Sequence, residues 1–161
     1  MGSGKKQSIC VGGKAPDFIL DDHKEKPFKL SDFTGKKILL SFHPLAWTSV
    51  CAKQMQSLEK NKKYFDKLNT IAVGISVDPT PSKNAWAKKL GIKNTRLLSD
   101  FWPHGAVAQQ YDIFREADGI SGRANIIVDE NQNIVFMKVY PISQLPNIKE
   151  ILQFLEQKKT R

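Results

Sequence analysis

The sequence predicts an α/β domain in which a mixed central sheet lies between helices. Three observations carry that expectation. Short apolar segments alternate with amphipathic helical ones along most of the chain, as strand–helix–strand crossovers require. Two of the strands, 38–42 and 70–77, are almost continuously apolar, the mark of strands covered on both faces. A late pair, 124–128 and 134–140, flanks Asp129-Glu130-Asn131-Gln132-Asn133, a hairpin signal that makes part of the sheet antiparallel.

Each element follows in order. Residues 9–11 are expected to form a short strand ahead of Gly12-Gly13. Residues 15–20 and 28–30 read as extended pieces joined by a charged turn through Asp21-Asp22-His23. Strand 38–42 is interrupted only by Ser41. From 49 to 68 the period becomes helical, with Cys51, Met55, Leu58 and Phe65 near one stripe and lysines and acids elsewhere. Strand 70–77 ends at Asp78-Pro79, residues that enforce a turn. Residues 81–90 make a short helix with Trp86 and Leu90 on one face, closed by Gly91 at its C-terminal end. Leu97-Leu98 is a brief strand, 103–111 a short helix opening at a proline, and 148–155 an amphipathic helix.

The 161 residues suit one domain with a proper core. Residues 1–7 read as a flexible leader that looks like a cloning scar, and 8–161 as the domain itself. No apolar run approaches the roughly 20 residues of a spanning helix, and the N-terminus lacks a signal-peptide stretch, so the expected location is cytoplasmic, away from membranes. A net charge of +9 invites a nucleic-acid partner. The lysines, however, are scattered as pairs (Lys36-Lys37, Lys62-Lys63, Lys88-Lys89, Lys158-Lys159) and nowhere interleave with aromatics, so nucleic acid is not an expected partner. The charge serves solubility and attracts small anions. Cys10 and Cys51 make no disulfide framework, and with His23, His43 and His104 they lack zinc-ligand spacing; no metal and no cofactor are expected.

The chemistry concentrates in Phe42-His43-Pro44-Leu45-Ala46-Trp47-Thr48-Ser49-Val50-Cys51. A buried strand stops before a proline, a short loop follows, and Thr48 and Ser49 offer N-caps just ahead of the cysteine. The thiol therefore lands in the first turn of a helix, where unpaired N–H groups and the positive dipole end favour an anion. The thiolate is the reactive form of cysteine. The competing fate is a small buried hydrophobe.

Pro44, Thr48 and Cys51 stand in a P-x-x-x-T-x-x-C arrangement that closely resembles the active-site loop of the peroxiredoxins, the AhpC/TSA superfamily. The likeness extends over nearly the whole chain. Lys14-Ala15-Pro16-Asp17-Phe18 resembles the family's opening and Ile75-Ser76-Val77-Asp78 its central strand. Ser99-Asp100-Phe101-Trp102-Pro103-His104-Gly105 is similar to a segment of the one-cysteine branches, the AhpE-like among them. The resemblance implies a thioredoxin-like fold with an N-terminal extension. It also implies a thiol-dependent peroxidase that reduces hydrogen peroxide or organic hydroperoxides through a cysteine sulfenic acid, in antioxidant defence.

Carried over residue by residue, Cys51 is the peroxidatic nucleophile, Thr48 hydrogen-bonds the peroxide and the thiolate, and Pro44 shields the site from water. The family's arginine matches Arg123 in Ser121-Gly122-Arg123-Ala124-Asn125-Ile126; Arg96 and Arg115 lack that strand context. A permanently charged guanidinium suits charge moving onto a leaving oxygen. One departure stands out: the family often has C-T-x-E, whereas Cys51 is followed by Ala52, Lys53 and Gln54. Gln54 can accept from the arginine but adds no charge, which predicts a looser arginine. His43 and Trp47 are expected to line the pocket. Cys10 matches no resolving position, and no second cysteine or Tyr-Phe pair follows the last helix, so the expected cycle uses Cys51 and an external thiol or a thioredoxin- or glutaredoxin-like reductant. The Phe101-Trp102-Pro103 loop resembles a dimer contact, so a homodimer is expected. Two alternatives stay open: a non-enzymatic redox sensor, and a disulfide oxidoreductase, although neither Thr48 nor Gln54 supplies the second cysteine of a Cys-x-x-Cys.

Overall fold

The structure is a computed structural model and describes residues 9–159; the leader lies outside the described residues. A five-stranded sheet, in the order β5-β4-β3-β8-β9, runs through the molecule. Its strands are β3 (Lys37–Phe42), β4 (Thr70–Ser76), β5 (Arg96–Ser99), β8 (Arg123–Val128) and β9 (Ile134–Tyr140). β3, β4 and β5 pair in parallel, while β8 pairs antiparallel with both β3 and β9. The predicted mixed sheet and late hairpin are both present. Two short hairpins lie apart from it: β1 (Ile19–Asp21) with β2 (Pro27–Lys29), and β6 (Phe114–Arg115) with β7 (Ile120–Ser121).

Alternation along β3 sorts the core into two layers. Ile38, Leu40 and Phe42 face a cluster with Phe18, Phe28, Leu30 and Tyr111, so the N-terminal segments and α4 (Ala106–Gln110) cover that side. Leu39 faces the other cluster, built by Cys51, Met55 and Leu58 of α1 (Ser49–Lys60), Phe65 of α2 (Lys62–Lys67), Trp86 of α3 (Thr80–Leu90) and Ile151 and Leu155 of α5 (Ile148–Lys159). Each such side chain contributes about 1.5–3 kcal/mol on burial. At Gly74 of β4 this layer needs an absent side chain, because a Cβ there would run into the Met55 sulfur of α1.

Several local expectations change. Residues 9–11 form no strand; Gly12 N–H donates to Ile134 O and the chain turns at once. The expected helix 49–68 is two helices, because the Asn61 side-chain amide bonds the Ser57 carbonyl (2.7 Å) and competes with the helical ladder. The helix expected from Pro103 begins only at Ala106. Its cap is Asp100, whose carboxylate accepts from Val107 and Ala108 N–H (3.0 and 2.9 Å). Gly105 at φ +68° makes the entry, in a place where a Cβ would strike the Phe114 ring. Gly91 closes α3 in the left-handed conformation, as expected.

Candidate active site

Beyond Phe42 the chain leaves β3 through His43 and Pro44, loops over 45–47 and re-enters structure at α1. Trp47 adopts φ +69°, a left-handed conformation that costs a bulky residue about 1–3 kcal/mol and persists only when its surroundings hold it. Two bonds hold it here. Ala46 N–H donates to Asp78 Oδ2 (2.8 Å), and Trp47 Nε1–H donates to Ser82 Oγ (3.0 Å).

Thr48 takes the N-cap position with extended dihedrals, but its hydroxyl caps nothing. It donates instead to the Leu45 carbonyl (2.8 Å), which leaves the oxygen's lone pairs available to an incoming donor. The first turn of α1 thus keeps its anion-favouring N–H groups without a side-chain cap. Cys51, the third helical residue, is wholly buried and unbridged.

Arg123 opens β8 one residue past the Phe42–Ala124 pair, which sets it laterally beside His43. Being buried, its guanidinium needs partners for its donors, and it has them. Nη1–H donates to Cys51 Sγ (3.4 Å) and to Gln54 Oε1 (2.7 Å); Nε–H and Nη2–H both donate to the Ile142 carbonyl (3.0 and 2.8 Å). Gln54 lies one helical turn after Cys51 on the same face. Its amide orientation is dictated by its neighbours, since only the oxygen can meet Arg123 and only Nε2 can donate to Phe42 O (3.1 Å) and Ser41 Oγ (2.8 Å). The arginine is therefore held on two sides, not loosened by the missing carboxylate.

A cavity of about 280 Å³ opens above this group, lined by Pro44, Leu45, Thr48, Ser49, Val50, Ile120, Arg123 and Ile142. Arg123 reaches both the cavity and the sulfur. Roomier hollows elsewhere, such as one of about 350 Å³ around His23, Thr80 and Asn84, hold no thiol. The structure brings Pro44, Thr48, Cys51, Gln54 and Arg123 together. His43 and Trp47 do not line the cavity. The His43 ring is buried against Trp86 at 5.3 Å, with Nε2 3.4 Å from Lys83 Nζ, and Trp47 faces solvent and Ser82. Burial, with the Lys83 and Arg123 charges behind it, pushes His43 well below its usual 6.5, so the ring is neutral and a weak base, and its Nε2 faces Lys83. Arg96 and Arg115 are engaged elsewhere, with Asp22 and Asp118. Sequence reasoning missed Ile142, whose part is played by a backbone carbonyl with no residue signature. It also missed Ile120, delivered by a two-residue strand too short to show a period.

A thiol at a helix start, under a guanidinium, on a thioredoxin-like sheet defines a cysteine-dependent oxidoreductase. Comparison with known proteins narrows this. The AhpC/TSA family profile matches residues 11–137. Alkyl hydroperoxide reductase E of Mycobacterium tuberculosis is 40% identical over 132 residues, covering 81% of this chain and 86% of that one. A peroxiredoxin of Thermoplasma volcanium is 31% identical over 92% of this chain and 74% of its own. Among solved structures, the reduced 2-Cys peroxiredoxin of Plasmodium vivax superposes with a TM-score of 0.86 at 29% identity, covering 95% and 83% of the two chains. The chain belongs to the AhpC/TSA family: it is a peroxiredoxin.

Proposed function

We propose a one-cysteine cycle for this thiol peroxidase. The Cys51 thiolate attacks one oxygen of the peroxide; a sulfur–oxygen bond forms and the O–O bond breaks. The electron pair leaves on the second oxygen, which takes a proton and departs as water or an alcohol. Cys51 is left as a sulfenic acid. Arg123 and the N–H groups at the start of α1 receive the charge as it moves, and Thr48 accepts the peroxide O–H. An external thiol, free or on a thioredoxin- or glutaredoxin-like protein, condenses with the sulfenic acid and releases water. A second thiol then displaces Cys51 and carries off the disulfide.

The observation that carries this reading is the Arg123 Nη1–Cys51 Sγ contact of 3.4 Å beneath a cavity. Leu45, Val50, Ile120 and Ile142 give that cavity apolar walls, which suit an alkyl hydroperoxide as well as hydrogen peroxide. The external reductant is supported by where Cys10 lies. Its neighbour Gly12 bonds Ile134, which pairs with Val128 at the far end of β8 from Arg123. Five residues of strand, roughly 17 Å, separate Val128 from Arg123, so the Cys10 segment enters at the opposite end of β8 from the thiol, while a disulfide needs Cα atoms within about 7 Å. Free cysteines suit a reducing compartment, and we place the protein in the cytoplasm. Among the described residues no helix is long and apolar enough to cross a membrane. Mass spectrometry after one equivalent of peroxide tests the cycle: Cys51 should gain one oxygen, and Cys10→Ser should turn over normally with an external thiol. A Cys10–Cys51 bridge, or loss of turnover in C10S, would overturn it.

A further inference from the structure

Lys83 is the buried charge that the peroxidase chemistry leaves unused. It sits on α3 with its side chain wholly enclosed, and its Nζ donates to Ser76 Oγ (2.5 Å) and lies 3.4 Å from His43 Nε2. An enclosed ammonium is costly unless something holds it there. The Ser76 hydroxyl, accepting from Lys83, donates in turn to Asp78 Oδ2 (2.6 Å). That same carboxylate oxygen accepts the Ala46 N–H, in the middle of the strained loop that leads to Thr48 and Cys51. The second Asp78 anchor is its carbonyl, bonded by Ser99 Oγ (2.7 Å). The path from Lys83 to the loop is therefore continuous: ammonium, hydroxyl, carboxylate, backbone amide.

We propose that Lys83 is a positioning residue for peroxide reduction, its charge tightening the Ser76–Asp78–Ala46 chain and so fixing the turn that presents Thr48 and Cys51. The proposal rests on the peroxidase reading of Cys51. The groups facing Lys83 come from every element around it: Asp78 after β4, Asp100 after β5, Cys51 on α1, His43 after β3 and His23 after β1, with Arg123 of β8 acting on His43. With Lys83 as donor, His43 Nε2 is the acceptor and the ring proton lies on Nδ1, an atom with no protein partner. Burial lowers both histidines; at His23 Asp22 opposes it, while at His43 the Lys83 and Arg123 charges add to it and leave that ring neutral beside the ammonium. Burial brings Lys83 down to about 7, against the opposing pull of Asp78, Cys51 and Asp100. Below that pH the chain ends in an ammonium. Above it the link weakens to a neutral amine, whose hydrogen bonds are about half as strong.

The sign separates this from the thiol's own titration, because thiolate only accumulates as pH rises whereas the Lys83 grip weakens. Stopped-flow tryptophan fluorescence would follow Cys51 oxidation by hydrogen peroxide between pH 6 and 8.5 in the wild type, Lys83→Met and Ser76→Ala. The wild-type to K83M rate ratio should be roughly 3- to 30-fold at pH 6 and shrink severalfold as pH rises past 7. S76A, which removes the link between Lys83 and Asp78, should stay slower than the wild type across the whole range. A ratio near one throughout, or one that is constant with pH, overturns the role. If K83M fails to fold, the wild type decides by NMR: the Ala46 amide must shift with the Lys83 titration, and an indifferent amide refutes the link. A wild type no faster than free cysteine would sink the peroxidase reading itself, and Lys83's role with it. A fast wild type with an unmoved K83M sinks only Lys83.

Discussion

Arg123→Ala is the perturbation that tests the site most directly. The guanidinium and the Cys51 sulfur are 3.4 Å apart. Coulomb's law at an effective dielectric near 20 puts a full charge pair at that distance close to 5 kcal/mol. This is a ceiling, since the arginine also steadies the resting thiolate and water can enter the space its side chain leaves. Only the part that grows as charge moves onto the peroxide oxygens speeds the reaction. Removing one preorganised donor of this kind costs about 10²–10³ in rate. R123A is therefore expected to oxidise about 100- to 1,000-fold more slowly than the wild type. Arg123→Lys should recover only part of this, because one ammonium cannot meet Cys51, Gln54 and Ile142 together. Stopped-flow tryptophan fluorescence under excess hydrogen peroxide reads the rate. Urea melts must accompany it, since the stranded Ile142 and Gln54 oxygens cost roughly 1–3 kcal/mol each. A folded R123A whose rate stays within about threefold of the wild type would remove the arginine from the chemistry.

Three further outcomes are expected. Gln54→Leu takes away the acceptor that aims Arg123 Nη1 and should slow peroxide attack roughly tenfold; an unchanged rate would mean that the Ile142 carbonyl alone sets the guanidinium. Asp22 contributes acid-sensitive stability. Burial pushes its carboxyl up, but Lys26 and Lys24 N–H and the Arg96 guanidinium together hold it below 3.8. A lowered folded value means the stabilisation is present above the unfolded pKa and is lost as pH falls through the folded one. The urea-midpoint gap between wild type and Asp22→Asn should thus be wide at pH 7 and narrow progressively as pH falls below about 4; a gap that does not narrow contradicts the assignment. Finally, Phe101 and Trp102 expose 48% and 81% of their surface on one loop, which we propose as a homodimer contact. Sedimentation velocity should give a dimer for the wild type and a monomer for Trp102→Glu, and a monomeric wild type would refute it.

The sheet was legible because strands buried on both faces write their burial into composition: 38–42 and 70–77 could hardly be anything else. The placement of Cys51 was legible for a different reason. A proline after a buried strand and a hydroxyl before a helical stripe constrain the backbone strongly enough to locate Cys51 at a helix start. What escaped reading depends on contacts between segments distant in sequence. Asp78 reads as a turn former, yet its side chain reaches back 32 residues to Ala46. Asp100 caps a helix from outside the usual N-cap position, so the proline three residues on drew the boundary too early. His43 follows an apolar strand in the pattern of a loop residue, and only the register shows that it continues the strand's alternation into the buried layer.

That register also explains why the site can combine a strained loop with a fixed sulfur. Past the Phe42–Ile75 and Phe42–Ala124 pairs, the next residues on the three central strands are Ser76, His43 and Arg123, side by side at one edge of an otherwise apolar layer. Arg123, at one end of this row, grips the helix side of the loop through Cys51 and Gln54. Ser76, at the other end, grips the strand side through Asp78 and Ala46. A buried polar row is costly when half satisfied and rigid when complete. Both ends here are complete, and the orphan is His43 Nδ1 between them. The left-handed Trp47 lies between the two grips, so its strain is carried by neither the helix nor the sheet alone. Loosening either end should relax the loop and move Thr48 away from Cys51, which makes substitutions at Gln54 and Ser76 alike in effect although they share no contact. Their double mutant should then lose less than the product of the single losses; independent, multiplying effects would show that the row is two separate structures.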